Sequence, residues 1–248
     1  MKEIAVVTGA SSGIGAATVR ALAKSGYQVI AAARRTALLE NLARENSAIT
    51  AIELDVTNQV SVDSFTNNLK GKPVSILVNN AGGAFDGDSV LDSDPEIWQK
   101  TYDVNVVGAV RMTKAITPIM KEFGKGHIVI ISSTAGYIAY ENGGSYVAAK
   151  FADVALARTL RLELAGDPIR VTEIAPGMVK TDEFAKNRFK GDLNKAAKIY
   201  EGVEKPLTAE DVAEAIRWSV TLPEHFNIDS MVIRPVAQAA AHKVIRKN

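Results

Sequence analysis

Short apolar runs rich in β-branched residues recur along this chain, and longer stretches of mixed apolar and polar residues separate them. Most of the runs are almost continuously apolar, which is typical of parallel strands that are covered on both faces. The pattern predicts seven strands: Ile4–Thr8, Gln28–Ala33, Thr50–Leu54, Ser75–Asn79, His127–Ser132, Ile169–Ile174 and Met231–Arg234.

The stretches between these runs have the length and apolar spacing of helices. Asp94 before Pro95 is a favourable helix start, and Gly26 and Gly124 suit helix ends. Because strands and helices alternate, we predict an α/β fold with a doubly wound parallel seven-stranded sheet and helices on both faces. No linker or repeat interrupts the pattern, so we expect residues 1–248 to form a single domain. The predicted helices include Ile14–Ser25, Thr36–Glu45, Val60–Leu69, Pro95–Phe123 and Ser145–Leu164.

Charge and cysteine content narrow the functional classes. The chain has 29 Lys and Arg against 28 Asp and Glu, whereas a nucleic-acid-binding surface needs a basic excess or stripe. The basic residues from His242 to Lys247 are expected to form a solvated tail. The absence of cysteine excludes disulfides and thiolate metal sites, and no apolar run approaches the roughly 20 residues of a membrane span. We therefore expect a cytoplasmic protein that binds neither nucleic acid nor a membrane.

Glycines cluster directly after the first predicted strand, in Thr8-Gly9-Ala10-Ser11-Ser12-Gly13-Ile14-Gly15. Glycines permit a tight turn and let backbone N–H groups approach a pyrophosphate at the positive end of a helix. Such a cluster can also serve loop shape alone, but this one lies where a Rossmann dinucleotide fingerprint must lie. We therefore predict a dinucleotide that contacts Gly9, Ser11, Ser12, Gly13, Ile14 and Gly15.

The end of the second predicted strand indicates which dinucleotide is bound. Enzymes that prefer NAD place an acid there for the ribose hydroxyls, but here Ala33 is followed by Arg34 and Arg35. A guanidinium fits a 2′-phosphate, so we predict NADP(H), although either arginine could merely begin a solvated helix. After the third strand, Asp55 and Val56 are expected beside the adenine. The alternative role for Asp55 is to cap the helix that starts near Asn58.

A tyrosine and a lysine lie four residues apart in a predicted helix, so Tyr146 and Lys150 project from the same face. A phenol is a poor base at neutral pH, but a nearby ammonium stabilises its phenolate. Ser133 follows a buried strand at the sheet edge where ligands of open α/β sheets bind. These three residues therefore predict an acid–base site for a hydroxyl group.

Taken together, these motifs resemble the short-chain dehydrogenase/reductase family, in order and spacing and over nearly the whole chain. The resemblance implies a catalytic tetrad in which Tyr146 exchanges the substrate proton, Ser133 hydrogen-bonds the substrate oxygen and Lys150 holds the nicotinamide ribose. Asn105 would hold a water in a proton relay to Lys150; its alternative role is to satisfy backbone groups inside a helix. The motifs are Thr8–Gly15, Asn79-Asn80-Ala81-Gly82, Asn105, Ile131-Ser132-Ser133, Tyr146-Val147-Ala148-Ala149-Lys150 and Pro176-Gly177.

The same resemblance implies further cofactor contacts along the cleft. They would come from Asn80, Ala81, Gly82, Tyr146, Lys150, Pro176, Gly177, Val179 and Thr181.

The carboxyl-terminal third resembles the NADP-dependent 3-hydroxy acid (serine or L-allo-threonine) dehydrogenases, in Thr181–Asp192, Pro206–Glu214 and Arg234-Pro235. Lys180-Thr181-Asp182 and the residues beyond Gln238 depart from that branch, which leaves the exact substrate open. A 3-hydroxy acid carries a carboxylate, so its site needs a cation under a lid, which we place at residues 183–205. Arg188 is the first candidate, with Lys190 and Lys180 as others, although each could be a solvated helix charge.

The resulting hypothesis is an NADP(H)-dependent oxidoreductase that interconverts a short 3-hydroxy acid with its oxo acid or semialdehyde. Ser133, Tyr146 and Arg188 would contact this small-molecule substrate. Alternatives are a reductase of another carbonyl (a 3-oxoacyl carrier, a small ketone or a clavaldehyde-like aldehyde) and a non-catalytic NADP-binding regulator.

The resemblance also implies a homotetramer, with a dimer as the alternative, built on the faces of the helices at Pro95–Phe123 and Ser145–Leu164. No metal site is expected, because His127, His225 and His242 are scattered.

Overall fold

The computed structural model describes residues 2–247, apart from the side chains of Asp182, Ala185 and Leu193. The side chain of Asp182, which contributed to the resemblance above, therefore lies outside the described residues. Seven parallel strands form one sheet in the order β3-β2-β1-β4-β5-β6-β7. They are β1 (Ile4–Thr8), β2 (Gln28–Ala33), β3 (Ile49–Glu53), β4 (Val74–Asn79), β5 (Gly126–Ile131), β6 (Ile169–Pro176) and β7 (Ser230–Ile233).

Helices cover the sheet on both faces, and alternate strand residues point to each layer. In β1, for example, Ala5 and Val7 belong to one apolar cluster and Val6 to the other. One layer contains α1 (Gly13–Lys24), α2 (Thr36–Glu45) and α9 (Ala209–Val220). The other contains α3 (Gln59–Asn67), α5 (Gly108–Phe123) and α6 (Gly144–Glu163), with α4 (Pro95–Tyr102) against α6. The predicted doubly wound α/β fold is confirmed.

Local sequence explains where several of these helices begin and end. The Asp94 carboxylate accepts a hydrogen bond from the Glu96 amide (2.9 Å) and Pro95 opens α4, while α5 ends at Gly124 in the left-handed region (φ 81°). Helix α9 begins at a capping box in which Thr208 and Asp211 bind each other's backbone N–H.

The single helix predicted over Pro95–Phe123 is interrupted by a π-helical turn at Asp103–Val107. The Asn105 side chain causes the difference, because its Nδ2 donates to the Thr101 carbonyl at 2.8 Å. A side chain that takes a carbonyl of the preceding turn competes with the helical backbone ladder and opens it locally.

The basic carboxyl-terminal segment is not a solvated tail. Residues Gln238–Ala240 (β8) and Lys243–Val244 (β9) pair antiparallel, and the Lys247 amide donates to the Gly202 carbonyl at 2.8 Å. The Arg246 guanidinium donates to the Ile199 carbonyl at 3.0 Å. The basic side chains are exposed, as expected, but the segment is not a free tail, because backbone pairing and these carbonyls hold it on the residues after α8 (Leu193–Lys198). Between residues 2 and 247, no helix combines the length and apolar character that crossing a membrane requires.

His127 lies in β5 at the amino edge of the sheet, and its ring is almost fully buried. Its Nε2 is 2.7 Å from Thr172 Oγ1. Burial, helped by the charge of Arg170, lowers the pKa of His127 from 6.5 to about 3. The imidazole is therefore neutral in the folded protein at neutral pH.

We expect His127 to contribute to a loss of stability in acid. Its pKa is lowered by folding, so the unfolded chain takes up the proton first, and the free energy of unfolding falls as pH drops from about 6.5 towards 3. The slope approaches about 1.4 kcal/mol per pH unit. Urea unfolding between about pH 7 and pH 4.5 should show a shallower slope in His127→Gln. The exposed His225, changed to Gln, is the control; equal slopes in all three proteins would contradict the assignment.

Candidate active site

A cleft of about 870 Å³ lies at the carboxyl ends of the parallel strands. The strand order reverses between β1 and β4, and open α/β sheets bind ligands at such a reversal. Of the site residues predicted from the sequence, all but Gly15 and Asn105 line this cleft. The topology therefore brings together residues that are up to 179 positions apart, from Gly9 to Arg188.

The glycine-rich turn runs from the end of β1 into α1. Gly9 and Gly13 have φ values of 65° and 52°, a region that favours glycine. A Cβ on Gly15 would lie 2.4 Å from the Gly9 carbonyl oxygen, so the turn can close only around a glycine. Ser12 precedes α1 in an extended conformation, and its side chain does not cap the helix. The first amide groups of α1 are thus available to a phosphate.

Thr8 and Asn80 hold the turn against the end of β4. Asn80 Nδ2 donates to the Thr8 carbonyl at 2.9 Å, and Thr8 Oγ1 accepts from the Asn80 and Ala81 amides at 3.0 Å each. Asn80 and Ala81, predicted along the cofactor, thus also brace the phosphate turn.

The two arginines after β2 reach the same end of the cleft. Arg35 donates to the Ser11 and Ser12 hydroxyls at 2.9 and 2.8 Å, and it pairs with Glu183 at 3.1 Å. Arg34 is exposed on the cleft wall. Two guanidinium groups beside a serine-rich turn suit a phosphate that lies outside the pyrophosphate turn.

Asp55 lies on the cleft wall beside Val56, after β3. Burial acts to raise the pKa of Asp55, but hydrogen bonds from Thr57 together with the charges of Arg34 and Arg111 produce a net lowering. Asp55 does not cap α3, because Asn58 performs that role by accepting from the Ser61 amide. The alternative proposed for Asp55 is therefore wrong.

Tyr146 and Ser133 are both nearly buried at the cleft, the first on the opening turn of α6 and the second after β5. The ring of Tyr146 meets the edge of Phe184 with centroids 5.3 Å apart. Ser133 Oγ accepts from the Ala135 amide at 3.2 Å and donates to the Pro176 carbonyl at 3.3 Å, which ties β5 to β6.

Lys150 lies one turn after Tyr146, with Nζ 5.6 Å from the centre of the phenol ring. Its ammonium donates to the Ile131 carbonyl at 2.9 Å and to Asp153 Oδ2 at 2.8 Å. Burial acts to lower the pKa of Lys150, but Asp153 and Tyr146 outweigh it, and the net shift is upward. Lys150 is therefore an ammonium near neutral pH.

Asn105 performs the backbone role that was its alternative. Its Oδ1 accepts from the Gly83 amide at 3.1 Å, and its Nδ2 donates to the Gly83 and Thr101 carbonyls. It nevertheless lies near the lysine: a Cβ on Gly82 would lie 2.4 Å from Asn105 Oδ1 and 3.7 Å from Lys150 Nζ. Gly82 is thus the residue that allows the amide and the ammonium to share this space.

Arg188 and Lys190 line the cleft, whereas Lys180 does not. Lys190 is engaged with Asp88 at 3.1 Å, and Arg188 donates to the Asn142 carbonyl at 3.0 Å and lies over the ring of Tyr140. The Nε of Arg188 is buried and has no hydrogen-bond partner among the described residues. Arg188 therefore carries a buried N–H that no described residue pairs, while Lys190 is held at the cleft by a single exposed ion pair.

Several residues at the site were not predicted. Gln238 Oε1 accepts from the Met178 amide at 2.7 Å, and a Cβ on Gly177 would collide with that oxygen. Asp153 binds the candidate lysine. A single acid one helical turn after Lys150 is a local signal that could have identified Asp153, but only folding brings Gln238 to the cleft. Among residues 2–247, no group of three or more His, Asp or Glu side chains could hold a metal ion.

A family model described as short chain dehydrogenase matches residues 3–191. The chain belongs to the short-chain dehydrogenase family. It is 39% identical to the NADP-dependent 3-hydroxy acid dehydrogenase YdfG of Escherichia coli (strain K12), over 96% of this chain and 97% of that protein. A Mycobacterium tuberculosis (strain H37Rv) protein named only as an uncharacterized oxidoreductase is 48% identical, over 98% of this chain and 94% of its own length.

Solved structures of short-chain dehydrogenases have the same fold. The closed form of a serine dehydrogenase complexed with NADP+ superposes with a TM-score of 0.92, at 38% identity, over 99% of this chain and all of that one. Serine dehydrogenase from Escherichia coli gives 0.83 at 35% identity, over 95% of this chain and 99% of that one. The family resemblance seen in the sequence is therefore confirmed, and the chain is an oxidoreductase.

The cleft also fits a dinucleotide by its own geometry. Gly9 and Gly15 leave a backbone cradle that a Cβ would fill, the first amides of α1 are free of a side-chain cap, and Arg34 and Arg35 follow β2.

We expect the unmodified protein to bind NADP+ more tightly than NAD+, and Ala33→Asp with Arg34→Leu to narrow or invert the preference. Loss of a charge-assisted phosphate contact should cost about 1.5–3 kcal/mol, or roughly ten- to hundredfold in affinity for NADP+. Fluorescence titration with both dinucleotides measures this. Arg44→Leu removes an exposed arginine of α2 that pairs with Glu40 and should leave both affinities unchanged. Equal binding of the two dinucleotides by the parent would contradict the assignment.

Proposed function

We propose that this chain oxidises a short 3-hydroxy acid to its oxo acid or semialdehyde, reversibly and with NADP(H) as cofactor. The observation that carries the proposal is the cleft itself, where Tyr146 and Lys150 share one face of α6 opposite the phosphate turn of β1. The relatives support the substrate class, because the Escherichia coli protein with 39% identity is named for NADP and 3-hydroxy acids.

The proposed chemistry assigns one task to each residue of the tetrad. NADP+, when bound, supplies the hydride acceptor. Ser133 hydrogen-bonds the substrate oxygen, and Tyr146 takes the hydroxyl proton as general base. The Lys150 ammonium stabilises the phenolate and holds the nicotinamide ribose. Asn105 keeps the loop at Gly83 in place and holds the water of a proton relay to Lys150.

The remaining predicted residues hold the cofactor in this proposal. The pyrophosphate lies on the turn from Gly9 to Gly15, Arg34 and Arg35 hold the 2′-phosphate, and Asp55 and Val56 border the adenine. The nicotinamide end lies against Asn80–Gly82 and the segment from Pro176 to Thr181, through Pro176, Gly177, Val179 and Thr181.

Tyr146→Phe should preserve folding and NADP(H) binding, because it removes only a hydroxyl from a packed ring. General acid–base catalysis contributes about 10²–10⁴-fold, so kcat should fall by at least that much. Steady-state oxidation of serine and of 3-hydroxyisobutyrate, together with NADPH titration, measures both properties. Tyr27→Phe, a tyrosine at the opposite edge of the sheet and outside the cleft lining, is the control. A Tyr146→Phe enzyme with a tenth of normal turnover would move the acid–base role elsewhere.

We also propose that residues 183–205 are a substrate lid and that Arg188 under it binds the substrate carboxylate. The edge of Phe184 contacts Tyr146, Arg188 lies over Tyr140, and the Tyr200 hydroxyl donates to the Val179 carbonyl at 2.8 Å. A desolvated carboxylate needs a paired cation, and the buried Nε of Arg188 is such a donor. The proposal concerns the described part of this segment, which omits the side chains of Ala185 and Leu193.

Arg188→Met keeps an apolar stem over Tyr140 and removes the charge. A charged hydrogen bond contributes about 1.5–3 kcal/mol, so KM for 3-hydroxyisobutyrate should rise roughly ten- to hundredfold. KM for a neutral alcohol of equal size should barely change. Kinetics with both substrates separates the roles: equal losses would indicate lid folding, and no loss would leave Lys190 as the cation.

Assembly, location and domain organisation follow as further parts of the proposal. We infer a homotetramer, with a dimer as the alternative, because Tyr102, Val110 and Phe151 leave large apolar side chains exposed on α4, α5 and α6. Light scattering of the purified protein measures the subunit number.

We place the enzyme in the cytoplasm, with its dinucleotide pool, and treat residues 1–248 as one dinucleotide-binding and catalytic domain.

A further inference from the structure

An acidic residue lies one helical turn after the proposed catalytic lysine. Asp153 is 1% exposed and Lys150 is 6% exposed, so the ion pair they form in α6 is almost completely removed from water. Asp153 Oδ2 accepts from Lys150 Nζ at 2.8 Å. The carboxylate therefore contacts the lysine directly.

The contacts of Lys150 determine how many of its N–H donors remain for other groups. An ammonium has three N–H donors. The Ile131 carbonyl and Asp153 take two of them, at 2.9 and 2.8 Å, from a strand and from the helix itself. One N–H remains for a ribose hydroxyl, a water or the phenolate of Tyr146. Asp153 thus fixes the direction of the ammonium as well as its charge.

A buried lysine without a counter-ion tends to lose its proton, because desolvation disfavours the charged form. At Lys150 burial acts in that direction, but Asp153 and Tyr146 reverse it, and the net pKa shift is upward. The carboxylate is thus the fixed charge that keeps the lysine protonated in a site with little water. Its negative charge also opposes the positive charge that Lys150 presents to Tyr146.

A second buried acid faces Asp153 from the sheet. Glu173 on β6 is fully buried and accepts hydrogen bonds from the hydroxyls of Ser132 and Tyr137, the latter at 2.7 Å. Burial is the largest influence on the pKa of Asp153 and raises it, the charge and hydrogen bond of Lys150 lower it, and Glu173 raises it by less; the net shift is upward. Asp153 Oδ1 is buried without a hydrogen-bond partner among the described residues. The charged and titratable groups that act on the pair are therefore Tyr146 on α6 and Glu173 on β6.

We propose that Asp153 is a positioning residue that holds Lys150 as an oriented ammonium and sets the pH range in which Tyr146 exchanges the substrate proton. This inference rests on the proposed catalytic roles of Tyr146 and Lys150. A carboxylate with a purely structural role would only stabilise α6, whereas this one binds Lys150 directly and fixes the position of its ammonium.

Asp153→Asn keeps the shape of the side chain and removes its charge. The charge of Lys150 is then no longer offset, so the Tyr146 phenolate forms at lower pH. The lysine also loses its counter-ion and deprotonates at lower pH. Oxidation requires the phenolate and the ammonium together, so both limbs of the pH profile move in the same direction. An opposite charge within this distance shifts a pKa by about 1–3 units, so we expect the limb that reports Lys150 to move towards acid by at least about one pH unit and the limb that reports Tyr146 to move in the same direction.

The experiment measures kcat and kcat/KM for 3-hydroxyisobutyrate oxidation with saturating NADP+ across the pH range. The parent, Asp153→Asn, Asp153→Ser and Asp153→Glu are compared after thermal unfolding shows which variants are folded. Both neutral variants should show the acid displacement, and Asp153→Glu should restore part of the parent profile. Asp167→Asn is the matched control, because it removes an acid that pairs with Lys121 at 2.6 Å at the opposite edge of the sheet. Its profile should coincide with that of the parent.

A second measurement does not depend on turnover. The ultraviolet absorbance of the phenolate is titrated in the parent and in the neutral Asp153 variants, and the same proteins carrying Tyr146→Phe are subtracted. The phenolate signal of Tyr146 should appear at lower pH when Asp153 is neutral. A profile that loses amplitude without moving, or a phenolate signal at an unchanged pH, would overturn the proposal. If Tyr146→Phe stays active, the catalytic assignment fails, but the absorbance titration still decides whether Asp153 controls Tyr146.

Discussion

The close approach of the ends of β1 and β4 is the constraint on which the remainder of the site depends. From β1 the chain continues to the strands on one side of the sheet, and from β4 it continues to the strands on the other side. Such a reversal leaves a crevice at the carboxyl ends of the two strands. Thr8 closes the lower part of that crevice through two hydrogen bonds with Asn80 and one with the Ala81 amide, and Gly9 and Gly15 leave no side chain in the way. The proposed dinucleotide site and the proposed acid–base pair lie on the two sides of this contact.

The charged side chains along the cleft differ in how deeply they are buried, and burial determines whether each needs a fixed partner of opposite charge. Arg34 and Arg35 are exposed, so they can exchange water for a phosphate at little cost. Lys150 is buried, so it requires a fixed partner, and Asp153 is that partner. The proposed phosphate end of the site therefore offers backbone amides and exposed cations, whereas the proposed acid–base end contains a buried ion pair.

Contacts between segments that are distant in the sequence hold the proposed lid and the loop after β6 in place. Arg35 pairs with Glu183 at the start of the lid, Gln238 binds the Met178 amide, and the carboxyl-terminal residues bind the backbone of residues 199–202. The proposed lid is thus connected to Arg35, a proposed ligand of the 2′-phosphate, on one side and to the end of the chain on the other. In this proposal, a dinucleotide bound at the arginines would also contact the network that holds the lid.

Local sequence determined the strands, most helices, the phosphate turn and the Tyr146–Lys150 pair, because each depends on residues within about one or two turns of a helix or the length of a strand. It did not reveal the π-helical turn at Asn105, because the bonds to Gly83 that accompany it come from a loop 22 positions away. The docking of the carboxyl-terminal residues was likewise missed, since basic residues in isolation are indistinguishable from a solvated tail. The burial of Asp153 is decided by the strands and helices packed around α6. Tertiary structure alone determines which charged groups are removed from water, and in this protein that burial distinguishes the many surface acids from Asp153, which pairs with a buried lysine.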